Sequence, residues 1–298
     1  MTQEALSGNS YFRAFESRPG FSPASSDPQF ISSRAELIAD VLNSTPGEVI
    51  EHIENFLSDG KKALWEHFKL HINPVLFGYG VPRGNGESVF YMGGLFSMRF
   101  HYADPVFALR NSGWEAKTVP WSWMNIKPPV ERAKELMPLL RDEAKRTGKK
   151  SKVIGHSLGG YDWAATFAQN PDEFVEYVDH IVFDASPRPT RLNKILAVGY
   201  LLTRIPFRQD DFELSEKVEL LKEAEEAGYI KVTSIDSSND PMVQGEPLGR
   251  EKDHFIVDDA SHSFLGGNSH SLEIMAYRLA DQEPDLLRNP TVHNAIAA

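Results

Sequence analysis

Cysteine is absent from all 298 residues. Disulfide bonds, thiolate nucleophiles, Cys-ligated zinc and iron–sulfur clusters are therefore excluded. The absence does not fix a compartment, because oxidising surroundings permit disulfides without requiring them. Bases are also scarce: 31 Lys and Arg stand against 42 Asp and Glu, leaving a formal net charge of −11. A chain of that sign lacks the overall basic footprint that neutralises phosphates, so no nucleic-acid partner is expected. Simple adsorption to anionic membranes is disfavoured for the same reason. No apolar run reaches the roughly 18 residues of a membrane-spanning helix, so no transmembrane segment is expected. The longest such run, Ile195 to Leu202, is far shorter. The opening Met1-Thr-Gln-Glu-Ala-Leu-Ser-Gly-Asn-Ser has neither the basic region nor the apolar stretch of a secretory signal. A cytoplasmic location is the expectation, with leaderless export or a trimmed signal as the alternatives.

What is present is an ordinary globular balance, 41% hydrophobic and 24% charged, in a chain long enough to bury a large core. Residues 1–84 read as an irregular Ser/Pro/Gly-rich arm followed by helices at 34–43 and from Thr45 to about Phe68. Thr45-Pro46-Gly47-Glu48 starts the second of these as a capping box with proline at the first helical position. From about residue 85 the texture changes. Apolar strands at 88–92, 116–119, 152–155, 178–183, 230–235 and 254–257 alternate with helices at 104–111, 130–147, 161–169, 214–227 and 271–280. Such alternation predicts an α/β fold, with a mostly parallel central sheet and helices on both faces. The rhythm is interrupted at 187–228, which reads as a helical cap or lid insertion between the core segments 85–186 and 229–282. Residues 283–298 are expected to form a C-terminal tail.

The chemistry concentrates in Lys152-Val-Ile-Gly155-His156-Ser157-Leu158-Gly159-Gly160, a G-x-S-x-G between an apolar strand and a helix. A serine hydroxyl attacks poorly until a base takes its proton, and a tight strand-to-helix turn pushes it out of the sheet. Glycines two positions to either side let neighbouring backbone pass close. Ser157 is therefore the candidate nucleophile. The base should follow in sequence. His262, in Asp258-Asp-Ala-Ser-His262-Ser-Phe-Leu-Gly-Gly-Asn268, sits between the last strand and the last helix and is preferred over His180, His254, His270 and His293. For the acid that orients the imidazole, Asp240 in Ile235-Asp236-Ser-Ser-Asn-Asp240 is preferred. Asp236 in the same segment and Asp184, at the end of the strand after the nucleophile helix, are its rivals. Two backbone N–H groups would hold an oxyanion: that of Leu158, and one from Gly94 or Leu95 in Met92-Gly93-Gly94-Leu95-Phe96.

These stretches resemble the lipase/carboxylesterase group of the α/β-hydrolase superfamily. Met92-Gly-Gly-Leu95, Gly155-His-Ser-Leu-Gly159, Ser238-Asn-Asp-Pro-Met-Val243 and Ser261-His-Ser-Phe-Leu-Gly266 are similar to its oxyanion loop, nucleophile elbow, acid loop and histidine loop, in the same order. The resemblance covers roughly residues 85–282. It implies a serine hydrolase that cleaves carboxylic esters through an acyl-enzyme, with no cofactor or metal and with a small-molecule or lipid ester as its partner. An acyltransferase or thioesterase-like enzyme on the same acyl-enzyme is the alternative, and a non-catalytic binding module the third reading. His156, Trp121, Trp123 and Leu196 are expected to line the substrate pocket, Leu196 from the lid. One departure stands out: Phe183-Asp184-Ala-Ser-Pro187 places an acid where many lipases carry glycine. His67 and His71, four apart on a helix, are a pair without a third metal ligand and read as solvated. The oligomeric state is open.

Overall fold

The computed structural model describes residues 73–94, 102–119, 129–186, 220–238, 240, 249–258, 260–262, 265–284 and 292–294. The helices read at 34–43 and 45–68, the first part of the 187–228 insertion, and Leu95, Trp121, Trp123 and Leu196 lie outside these residues.

Seven strands form one sheet: β1 Ser88–Met92, β2 Glu115–Thr118, β3 Ser151–His156, β4 Val178–Asp184, β5 Lys231–Ser237, β6 His254–Val257 and β7 Val292–Asn294. Their spatial order is β2-β1-β3-β4-β5-β6-β7. The first six run parallel, as the βαβ alternation predicts, because a parallel pair needs a long crossover that a helix can fill. β1 and β3 are buried along their whole length, as strands covered by helices on both faces are, and neither shows an apolar–polar alternation. Between them stand α1 Ala103–Asn111, α2 Pro129–Thr147, α3 Leu158–Gln169, α4 Pro171–Tyr177, α5 Leu220–Glu226 and α6 Ser269–Leu279. No helix among the described residues is long and apolar enough to cross a membrane.

Two elements are absent from the reading of the sequence. β7 falls in the expected tail, yet it pairs antiparallel with β6, His293 opposite Ile256. A three-residue strand carries no periodicity to detect, and it exists because β6 offers it an edge. The second, α4, did have a local signal: Asn170 caps it by accepting from the Glu173 N–H, and Pro171 occupies its first turn, the usual start of a helix.

α2 carries the core-facing stripe that its period predicts. Val130, Ala133, Met137 and Leu140 are buried, and Leu136 joins them, packing the helix against α3. Ala144, expected on that face, is only partly buried, whereas the charged Glu143 is buried. The assigned helix continues through Pro138 and stops at Gly148, whose φ of 67° is left-handed and suits glycine.

Glu143 is tolerated at the helix–sheet boundary because donors surround it. Arg146 is the principal one, joined by Lys117 at 2.8 Å and by the Ser88 hydroxyl, and together they hold its carboxyl at about 2, below the ordinary 4.5, against the opposing effect of burial. A lowered folded-state pKa means that the ionised form stabilises the fold at neutral pH. That contribution is present above the unfolded value and is lost as pH falls through the folded one. Glu143→Gln should cost about 1–2 kcal/mol at neutral pH, a figure reduced for the solvent around Arg146. Urea denaturation from pH ~5 down to pH ~2 should show a flatter stability profile for the variant; parallel profiles would refute the assignment.

Candidate active site

β3 ends in a bend that the local sequence is built to allow. Ser157 caps α3 at φ 52° and ψ −126°, a conformation that strains any residue with a Cβ and persists only where surrounding structure imposes it. Three glycines make room. A side chain at Gly155 would run into the backbone of Gly160, one at Gly159 would lie 2.5 Å from the Met92 carbonyl oxygen, and one at Gly160 would strike Ser186. The bend is also tied from outside, because the Ser157 N–H donates to the Asp184 carbonyl at 2.8 Å. The spacing of the motif thus reflects two close approaches: of α3 to its own strand, and of the bend to the end of β1.

The bend aims Ser157 at the loop after β6. Its Oγ lies 3.0 Å from His262 Nε2, and His262 Nδ1 lies 2.6 Å from Asp240 Oδ2. The three side chains follow the ends of β3, β5 and β6, with β4 lying between the first two, and all are buried. Because Asp240 accepts from Nδ1–H, Nε2 carries the lone pair that faces the serine hydroxyl. Asp240 lies beyond the strand end, as its preference over Asp236 assumed.

The two rival acids are each engaged by a different histidine. Asp184 Oδ2 is 2.9 Å from His156 Nδ1, and Asp236 Oδ2 is 2.8 Å from His254 Nε2. Burial raises the Asp236 carboxyl above its ordinary range, opposed by His254 and reinforced by the charges of Asp240 and Asp184. The remaining histidines lie elsewhere. His180 is buried within β4, bonded to Thr233 at 3.0 Å, His270 lies in α6 and His293 in β7.

Gly94 is placed against Ser157: a Cβ there would come within 2.7 Å of Ser157 Cβ. Its N–H, however, donates to Tyr102 Oη at 3.2 Å, so the expected oxyanion donor is engaged by a tyrosine that no sequence signal marks. Leu158 occupies the first position of α3, where a helix N–H has no acceptor within the helix. His156 sits beside the serine with its ring 5.5 Å from that of His262 and 5.8 Å from that of Tyr102. Among the described residues no cluster of three or more His, Asp or Glu is arranged to hold a metal ion.

A parallel sheet bearing a strained serine on a strand–turn–helix bend, with an imidazole on the loop after a later strand, is the α/β-hydrolase fold, and the chain has that fold. No protein-family model matches the sequence, and no curated protein matches it. Solved structures with a similar chain path include a Bacillus licheniformis lipase, BlEst2 in mature form, at 14% identity over 68% of this chain and 96% of that one, with a TM-score of 0.49. Aspergillus fumigatus lipase B is 13% identical over 71% of this chain and 56% of its own, at 0.45. The thioesterase domain from the curacin biosynthetic pathway is 10% identical over 65% and 93%, at 0.41.

The pairing of acids with histidines is open to a direct test. A strong Nδ1–H···carboxylate bond moves the imidazole proton far downfield in proton NMR. Asp240→Asn should abolish the His262 signal, whereas Asp236→Asn should leave it in place. Persistence of that signal in Asp240→Asn would remove Asp240 as the partner of His262.

Proposed function

We propose that this protein is a serine hydrolase that cleaves carboxylic esters through an acyl-enzyme on Ser157. The observation that carries this reading is the continuous chain from Ser157 Oγ to His262 Nε2 at 3.0 Å and from Nδ1 to Asp240 at 2.6 Å. A serine hydroxyl with no acidity of its own needs a base within hydrogen-bond reach, and that base needs a partner for the charge it acquires. Both are present.

In this reading Ser157 Oγ attacks the ester carbonyl carbon while His262 Nε2 takes its proton. Asp240 holds the ring in the correct tautomer and stabilises the imidazolium that forms. The oxyanion of the tetrahedral intermediate meets the Leu158 N–H at the start of α3, where the helix field favours negative charge. Gly94 contributes its N–H if the Tyr102 hydroxyl yields its place to the oxyanion. Collapse of the intermediate breaks the bond to the alcohol oxygen, which receives the proton from His262. A water then repeats the sequence on the acyl-enzyme, releasing the carboxylic acid and restoring Ser157.

Fluorophosphonate labelling and nitrophenyl-ester turnover test this together. The wild type should label and turn over with a preferred acyl length. Ser157→Ala should lose labelling and fall by about 10⁶ in kcat, the loss seen when the nucleophile of a triad is removed. Equal labelling of the two proteins would remove Ser157 from the chemistry.

A further inference from the structure

A second imidazole–carboxylate pair stands beside the first, and the relay through Ser157, His262 and Asp240 makes no use of it. His156 is the residue before the nucleophile and the last of β3, and Asp184 is its register partner at the end of β4. The carboxylate of Asp184 is buried completely and meets three polar side chains. Tyr91 Oη donates to Oδ2 at 3.3 Å, Ser271 Oγ donates to Oδ1 at 3.2 Å, and His156 Nδ1 is 2.9 Å from Oδ2. Burial, followed by the charge of Asp184, pushes the Tyr91 phenol well above its ordinary range, so it stays an O–H donor. Gly266 closes the cluster, since a Cβ there would reach to 2.6 Å from Asp184 Oδ2.

This fixes the imidazole of His156 in one orientation and one tautomer. An acceptor-only carboxylate takes the proton on Nδ1, which leaves the lone pair on Nε2 of the neutral ring. Nε2 has no protein partner among the described residues, and the residue retains 3% exposure. A polar atom beside the nucleophile is thus held ready while its protein hydrogen bonds go elsewhere. Its position along the reaction follows from His262. That ring must deliver its proton to the leaving oxygen, so the alcohol part of an ester lies on its side of Ser157. The His156 ring is 5.5 Å from it, centroid to centroid.

We propose that His156 is a specificity-determining residue that reads the alcohol part of the substrate, its Nε2 accepting a hydrogen bond from a hydroxyl or amide N–H on that alcohol, with Asp184 as the positioning residue behind it. The substrate class is then an ester of a hydroxylated or amide-bearing alcohol rather than of a plain alkyl one. This rests on the serine-hydrolase reading above.

The test uses three esters of one acid, with the acyl length taken from the nitrophenyl series: the ethyl, 2-methoxyethyl and 2-hydroxyethyl esters. They are assayed at about pH 8, above the ordinary imidazole range. The methoxy compound keeps the oxygen of the hydroxy compound at the same position but has no proton to give. For the wild type, kcat/KM for the hydroxyethyl ester should exceed that for the methoxyethyl ester by about three- to tenfold, the range of one net hydrogen bond. His156→Phe should bring the ratio to about one, and His156→Gln, which restores an acceptor, should recover part of it. Asp184→Asn should lower the ratio by freeing the ring. Because the ratio is internal to each protein, loss of active enzyme does not alter it. A wild-type ratio near one with normal Ser157-dependent labelling overturns this proposal alone, even if every variant fails to fold, and a ratio that survives in His156→Phe does the same. Absence of both ester turnover and labelling overturns the underlying function, and this proposal with it.

Discussion

Everything at this site depends on one bend that a polypeptide does not adopt willingly. Ser157 stands at φ 52°, where a side chain crowds its own backbone by about 1–3 kcal/mol. The bend is held by close approach: the end of β1 at Gly159, α3 at Gly155, Ser186 at Gly160, and the hydrogen bond from Ser157 N–H to Asp184. Contacts this tight tolerate no Cβ, so the glycines are demanded by packing and not by flexibility. The result is a hydroxyl lifted above the carboxyl ends of the parallel strands, where ligands of open α/β sheets gather.

The second constraint is electrostatic. Asp236 lies close enough to Asp240 and Asp184 to feel their charges; those two are wholly removed from water, and Asp236 is partly so. Buried like charges are costly unless each has its own partner. The fold meets this by giving each carboxylate a separate imidazole: His156, His254 and His262 respectively. Only the last of these rings meets the Ser157 hydroxyl. Three similar pairs therefore differ in chemistry through placement, and the pair at Asp184 governs the ring that flanks the serine.

How much of this is legible in the residues varies with its range. The six parallel strands are visible because each is a short segment carrying apolar residues between helical stretches and turns, and the boundaries agree to within a residue or two. β7 is not visible, since a three-residue strand is created by the edge of β6. The burial of Glu143 is likewise hidden, because a helix period marks a charged residue as solvent-facing and cannot reveal that Lys117, Arg146 and Ser88 converge on it. Tyr102 is the clearest omission at the site. It lies eight residues beyond Gly94, and nothing in its surroundings suggests that its hydroxyl accepts the Gly94 N–H.

The residues alone determine the alternation that builds the sheet, the glycine spacing that permits the bend, and the order of serine, acid and histidine, because each is a property of neighbours along the chain. They also exclude all cysteine chemistry outright. Which of three aspartates meets His262, that His156 belongs to Asp184, and that Gly94 lies against Ser157 while giving its N–H to Tyr102 are decided only by the tertiary structure. Those contacts join segments far apart in sequence, and a hydrogen bond depends on distances and directions that no local pattern encodes.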